Sequence, residues 1–192
     1  MTHSITCQLI VGLMLSVFFA PDINAQQIPD ADSGRYVEAT LTGTFGEEIT
    51  APGVSAVLKL AKTTRAKTLV FVIDSPGGYV ADARAIAEIL ENEGSDFRII
   101  TVIRRAISAS IWLLSKSNVI AFEDGKAAGA AVAYSQDETT GEISVDSKFN
   151  SAIAAQLAGS AERRGQPGAV YRAMVVREVE LFVLVTKTIA FD

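Results

Sequence analysis

The stretch Leu69-Val70-Phe71-Val72-Ile73-Asp74-Ser75-Pro76-Gly77-Gly78 decides how this chain is read. Its apolar run, Thr68–Ile73 with the flanking threonine, is too short for a helix. It reads as a strand buried on both faces, the signature of a parallel sheet. Asp-Ser-Pro-Gly-Gly then ends the run, and Val80–Glu91 places Ala83, Ile86, Ala87 and Leu90 at helical spacing. A strand that closes on two glycines and opens a helix leaves backbone N–H groups at its carboxyl end, because glycine takes positive φ and permits close approach. The same segment is open to a plainer reading as a tight strand-to-helix turn. The phosphate-loop patterns G-x-x-x-x-G-K-[ST] and G-x-G-x-x-G are absent.

Working outward, Tyr36–Thr44 alternates like a strand. Thr50 is placed to cap a helix with Pro52 in its first turn and Val54, Val57, Leu58 and Ala61 on one face. Downstream come a β-branched strand at Arg98–Ile103, a short apolar helix at Ala109–Ser115 and a strand at Asn118–Phe122. Strands alternating with helices predict an α/β fold of mainly parallel strands with helices outside. Gly125–Ala133 is small and apolar, suited to lining a groove, and Gln136–Glu142 reads as a polar loop. Ser147–Arg164 predicts a helix on Phe149, Ile153 and Leu157, Pro167 starts another, and Leu181–Val185 reads as a last strand.

The 192 residues suit one domain, placed at 36–192; 49% are apolar and 20% charged, enough to bury a core. A net charge of −5, with no basic stripe carrying aromatics, argues against nucleic acid. Residues 1–25 read as a secretory signal, with an apolar run from Leu9 to Ala20 too short to span a bilayer and a cleavage point after Ala25. A retained anchor is the alternative. Residues 26–35 form a polar, flexible lead-in. These segments predict an extracytoplasmic or periplasmic location, with peripheral membrane association open and an uncleaved N-terminal anchor as the alternative.

The chain has a single His, His3, and a single Cys, Cys7, both inside the leader. That excludes a His-based triad and a Cys nucleophile from the mature chain and argues against a transition-metal site. No metal or cofactor is expected. The nucleophile left to a hydrolase is a serine with a lysine as its base. Ser108 follows a buried strand and opens Ala109–Ser115. It reads either as an N-cap or as a nucleophile whose neighbour Ala109 offers an N–H opposite those of Gly77 and Gly78, together an oxyanion hole. Ser110 is a rival nucleophile. Lys148, forty residues after Ser108, sits in the first turn of a helix, where the dipole disfavours the ammonium; Phe149, Ala152 and Ile153 offer it dry walls. A solvated lysine is the plain alternative, and Lys116 and Lys126 are rival bases. Asp74 reads as a turn cap, Trp112 as core, and Arg104-Arg105 either as a solvated pair or as a site for a carboxylate.

Ser75-Pro76-Gly77-Gly78, the helix after it, the strand into Ser108-Ala109-Ser110-Ile111, Asn118-Val119-Ile120-Ala121 and Gly129-Ala130-Ala131 stand in an order that resembles the Clp protease/crotonase superfamily. The nearest resemblance is to the NfeD-type membrane-bound serine proteases, relatives of signal peptide peptidase A. It covers about Tyr36 to Arg177 and implies a repeated β-β-α spiral. It further implies a catalytic Ser108–Lys148 dyad, oxyanion donors from Gly77, Gly78 and Ala109, and a peptide lying against Gly129, Ala130 and Ala131. The implied substrates are hydrophobic peptides, such as membrane-protein tails or signal-peptide remnants, and the implied assembly is a homo-oligomer. A catalytically inactive member acting as a peptide-binding scaffold is the alternative, motivated by Ser110 and the arginine pair. A crotonase-like acyl-CoA enzyme fits less well, because the leader separates the chain from cytosolic thioesters and no acid–base Glu follows Gly129-Ala130.

Overall fold

The computed structural model describes residues 7–8, 34–137 and 139–181. Apart from Cys7 and Gln8, the expected signal segment lies outside these residues, as does most of the lead-in. So does the expected last strand beyond Leu181, which itself is not in a strand.

One sheet organises the chain. β1 (Cys7–Gln8) pairs antiparallel with β2 (Tyr36–Phe45), and β2 pairs parallel with β3 (Thr68–Gly78). β3 pairs parallel with β4 (Arg98–Ile107), and β4 pairs parallel with both β5 (Val119–Phe122) and β6 (Ala128–Gly129). The crossovers carry α1 (Ala51–Thr64) between β2 and β3 and α2 (Val80–Asn92) between β3 and β4. A 3-10 turn, Ser108–Ser110, runs into α3 (Ile111–Leu114) between β4 and β5. Beyond the sheet, a small hairpin of β7 (Ser135–Gln136) and β8 (Ile143–Ser144) precedes α4 (Ser147–Arg163) and α5 (Gly168–Val175).

The local signals behave as their chemistry requires. Thr50 accepts a hydrogen bond from the Gly53 N–H, and Val54, Val57, Leu58 and Ala61 are buried on α1. Ala83, Ile86, Ala87 and Leu90 are buried on α2. These faces share one core with Leu69, Phe71 and Ile73 of β3 and Ile99 and Ile103 of β4. Each such side chain contributes about 1.5–3 kcal/mol by leaving water. The other face of β3 is not sealed to the same degree: Val70 stays half-buried beside the buried Val72. The expectation of equal burial on both faces therefore holds only for the face against α1 and α2.

The strands also run further than their apolar cores. β3 continues through Ser75-Pro76-Gly77-Gly78, pairing Gly77 with Thr44 and Gly78 with Phe45 after a register shift. The Pro-Gly-Gly segment is thus part of the ladder, where a tight turn was the plainer expectation. An extra residue enters β3 at Ser75-Pro76, where proline has no N–H to donate. A second register shift lies between β3 and β4 at Ile73/Asp74. Both bulges fall at the carboxyl ends of the parallel strands, the edge where α/β sheets place their ligands.

Candidate active site

Ser108 is the first residue after β4, and its backbone takes φ 55°. For a residue with a Cβ, this left-handed conformation costs about 1–2 kcal/mol. The cap position of the turn belongs to Ile107, with no side-chain cap bond, so the N-cap reading of Ser108 is not realised. Among the described residues its hydroxyl makes no hydrogen bond, and the residue is half-buried. The chain therefore turns sharply from strand into helix and presents this hydroxyl at the turn, the geometry that exposes a nucleophile elsewhere among α/β enzymes.

Gly77 lies directly against it. A Cβ added at Gly77, at φ 116°, would stand 2.7 Å from Ser108 Cβ and 3.0 Å from the Ile107 carbonyl oxygen. Only glycine fits both the φ and the gap. The Gly77 N–H donates to Ser75 Oγ at 3.1 Å, so in this structure that donor already has a partner. Gly78, at φ 141°, packs its bare Cα against the backbone of Phe45, which leaves no space for a side chain. Ala109 is buried in the turn that Ser108 opens; first-turn N–H groups have no intrahelical partner.

The third wall comes from β6. Its register sets Ala128 beside Ala106 and Gly129 beside Ile107, so Gly129 lies next to the residue preceding Ser108. Ala130 is exposed in the left-handed region at φ 52°, and the buried Ala131 donates its N–H to the Met174 carbonyl. An apolar cavity of about 280 Å³ opens beside Ala128, with Leu114, Phe122, Tyr171 and Met174 on its walls.

Lys148 occupies the first turn of α4, as its sequence context implied, and it is exposed. The dry walls expected around it are incomplete. Ile153 is buried, but Ala152 is exposed and Phe149 is 46% exposed. Val145, just ahead of the helix, is 57% exposed, so the lysine's turn is flanked by apolar side chains open to solvent. No hydrogen bond joins Lys148 to Ser108 among the described residues.

The rivals sort clearly. Ser110 is fully buried and its Oγ has no partner. Lys116 is buried and its Nζ donates to Glu91 at 2.8 Å, which commits it to an ion pair. Lys126 is exposed. Asp74 is bound by Arg105 at 2.8 Å and Arg104 by Glu123 at 2.7 Å, so both arginines are exposed and paired. Trp112 is core, with the Arg84 guanidinium 5.6 Å from its ring centre. No cluster of metal-ligating side chains occurs among the described residues.

One contributor escaped the sequence reading. Asn150, in the second turn of α4, is buried and holds both the N–H and the carbonyl of Ala133. Its signal was a polar residue on the same helical stripe as Ile153, Ala154 and Leu157.

Comparison with known proteins agrees with this architecture. The family model for the N-terminal domain of NfeD1b matches residues 52–188. The chain belongs to the NfeD1b N-terminal domain family. Among solved structures, a serine variant of the 1510-N membrane-bound stomatin-specific protease matches with a TM-score of 0.66 and 17% identity, over 74% of this chain and 70% of that one. A lysine variant of that protease in complex with a substrate peptide matches with a TM-score of 0.66 and 17% identity, over 74% of this chain and 66% of its own. The 1510-N protease from Pyrococcus horikoshii, specific for a stomatin homolog, matches at 0.52 and 17% identity, covering 74% and 63%. At that identity the likeness is one of fold. No curated relative matches the sequence. Among the described residues, no helix is long and apolar enough to cross a membrane.

Proposed function

We propose that the chain is a serine endopeptidase acting outside the cytoplasm on hydrophobic peptide segments, with Ser108 as nucleophile and Lys148 as base. The observation that carries this reading is Ser108 itself: a strained residue at the end of a central strand, packed on Gly77, with its hydroxyl unbonded. Membership of a family whose solved structural neighbours are proteases supports the class of reaction.

Ser108 Oγ attacks the peptide carbonyl as Lys148 Nζ takes its proton. Lys148 returns that proton to the leaving amine, and water then hydrolyses the acyl-enzyme. The Ala109 and Gly78 N–H groups stabilise the oxyanion, and Gly77 joins them when its bond to Ser75 opens. The substrate lies along Gly129, Ala130 and Ala131. Small side chains there, the cavity beside Ala128 and the exposed Val145, Phe149 and Tyr134 suit an extended apolar peptide. In this reading residues 1–25 direct export, the mature chain meets the membrane at its surface, and copies assemble into a homo-oligomer.

The test is cleavage of an unstructured apolar polypeptide by the full chain beside Ser108→Ala, Lys148→Ala and Ser110→Ala. Loss of at least 10³-fold in the first two, with retention in the third, is the expected outcome. The second reading, an inactive peptide-binding scaffold, draws on the exposed Lys148 and the occupied Gly77 N–H. Peptide binding that survives Lys148→Ala, with no turnover by the wild type, would establish it instead.

A further inference from the structure

We propose that Asn150 is a positioning residue that sets where Lys148 stands relative to Ser108, an inference that rests on the Ser108–Lys148 reading. In the first two turns of α4, Ser147, Lys148, Phe149, Ser151 and Ala152 are exposed, whereas Asn150 is 4% exposed. A buried amide inside a helix is costly unless its polar atoms are bonded. Here both polar atoms are bonded. Asn150 Oδ1 accepts from the Ala133 N–H at 2.7 Å, and its Nδ2 donates to the Ala133 carbonyl at 2.8 Å and to the Asp146 carbonyl at 3.0 Å. The side chain therefore pairs with Ala133 at two points, as a neighbouring strand would.

The position of Ala133 gives that pairing its consequence. The segment leading to it is fixed to β4 at Ala128 and Gly129, the latter beside Ile107, and to the end of α5 through the Ala131 N–H. From Ser108 a continuous path of bonded backbone runs through Ile107, Gly129 and Ala133 to Asn150. Lys148 lies two residues before that amide, on the turn capped by Asp146 Oδ1 accepting from the Phe149 N–H. Further along α4, apolar contacts at Ile153, Ala154 and Leu157 hold the helix to the core. Those contacts keep α4 in place, but they do not fix its first turn. Asn150 is the side chain that ties that turn, capped by Asp146, to the segment at Ala133.

The experiment compares the full chain with Asn150→Ala, Asn150→Asp and Leu157→Ala. Leu157→Ala weakens the same helix and leaves the amide in place. Steady-state cleavage of an apolar peptide and hydrogen exchange of the α4 amides are measured on each. Asn150→Ala is expected to lose about 10²-fold in kcat with KM within about twofold, because a misplaced base spoils the reacting geometry and leaves substrate contacts intact. Exchange should rise at 147–152 and stay unchanged at 153–161. Asn150→Asp, which keeps the acceptor and loses the donor, should fall between wild type and Asn150→Ala. Leu157→Ala should keep kcat per folded molecule. Equal losses in Asn150→Ala and Leu157→Ala, or unchanged exchange at 147–152, would overturn the proposal. If the wild type does not cleave at all, the peptidase reading fails on its own. Exchange confined to 147–152 in Asn150→Ala would then still establish the anchor, and its absence would remove that too.

Discussion

Ser108 holds a backbone angle that its side chain resists, and the surroundings show why it persists. β4 delivers the chain rigidly up to Ile107, the buried Ala109, Ser110 and Ile111 pull the next turn inward, and Gly77 closes the space on the other side. Strain of this kind survives only where neighbours over-determine it. It also gives a stability test that does not require turnover. Ser108→Gly should be about 1 kcal/mol more stable than Ser108→Ala, because glycine adopts φ 55° without the Cβ penalty while both variants lack the hydroxyl. Urea unfolding of the pair checks this, and equal stability would mean the left-handed turn is not retained in solution. The type and place of this serine were legible in the sequence. Its conformation was not, because the N-cap and the left-handed turn share the same local residues and only packing against Gly77 separates them.

The elements around the site are joined by a few buried polar ties. Gln166 donates to the carbonyls of Leu114 and Ser117 and accepts the hydroxyl of Tyr171, linking α3, the segment ahead of β5 and α5. Burial raises the Tyr171 hydroxyl far above the usual tyrosine range, and its bond to Gln166 offsets part of that. Ser160 adds a tie from α4 to the Ser115 carbonyl at 3.1 Å. Gln166→Ala leaves two carbonyls and a buried phenol without this partner and should cost about 2 kcal/mol, read as a fall of about 4–8 °C in melting temperature. A change below about 1 °C would contradict the tie. Helices and strands themselves were readable from the periods of Val54–Ala61, Ala83–Leu90 and Leu69–Ile73. The bulges at Thr42/Thr44 and Ile73/Asp74 were not, because they depend on which strands become neighbours. Nor was the role of Asn150, since its partner Ala133 lies across a hairpin whose closure no local pattern announces.

Five ion pairs occur among the described residues, and one of them reaches into the interior. Lys116 is buried in the turn that follows α3, and Glu91 of α2 binds it while also lying 3.4 Å from Arg163 of α4. The hydrogen bond from Lys116 lowers the Glu91 carboxyl below its ordinary value of 4.5, partly opposed by burial. A carboxylate held low in the fold contributes stability that is present above the unfolded value and lost as pH falls through the folded one. Stability should therefore decline in acid below about pH 4.5, and Glu91→Gln should flatten that decline. At pH 7 the same variant should cost about 1–3 kcal/mol, since a buried ammonium loses its counter-charge while Glu91 is itself partly exposed. Urea unfolding of both proteins across pH 3.5–7 checks the sign, and parallel curves would contradict it. The α/β order of the whole was legible because each β–α unit carries its own apolar period. The half-open second face of β3 was not, because an apolar run looks the same whether one or two layers cover it.

The most direct test of the account is whether Ser108 forms a covalent tetrahedral adduct with an apolar peptide boronate, located by boron NMR and crystallography. The account predicts a boron–Ser108 Oγ bond in the wild type and in Ser110→Ala, absent in Ser108→Ala and weakened at least tenfold in Lys148→Ala. A boronate that binds without bonding to Ser108, or binds equally well in Ser108→Ala, would contradict it.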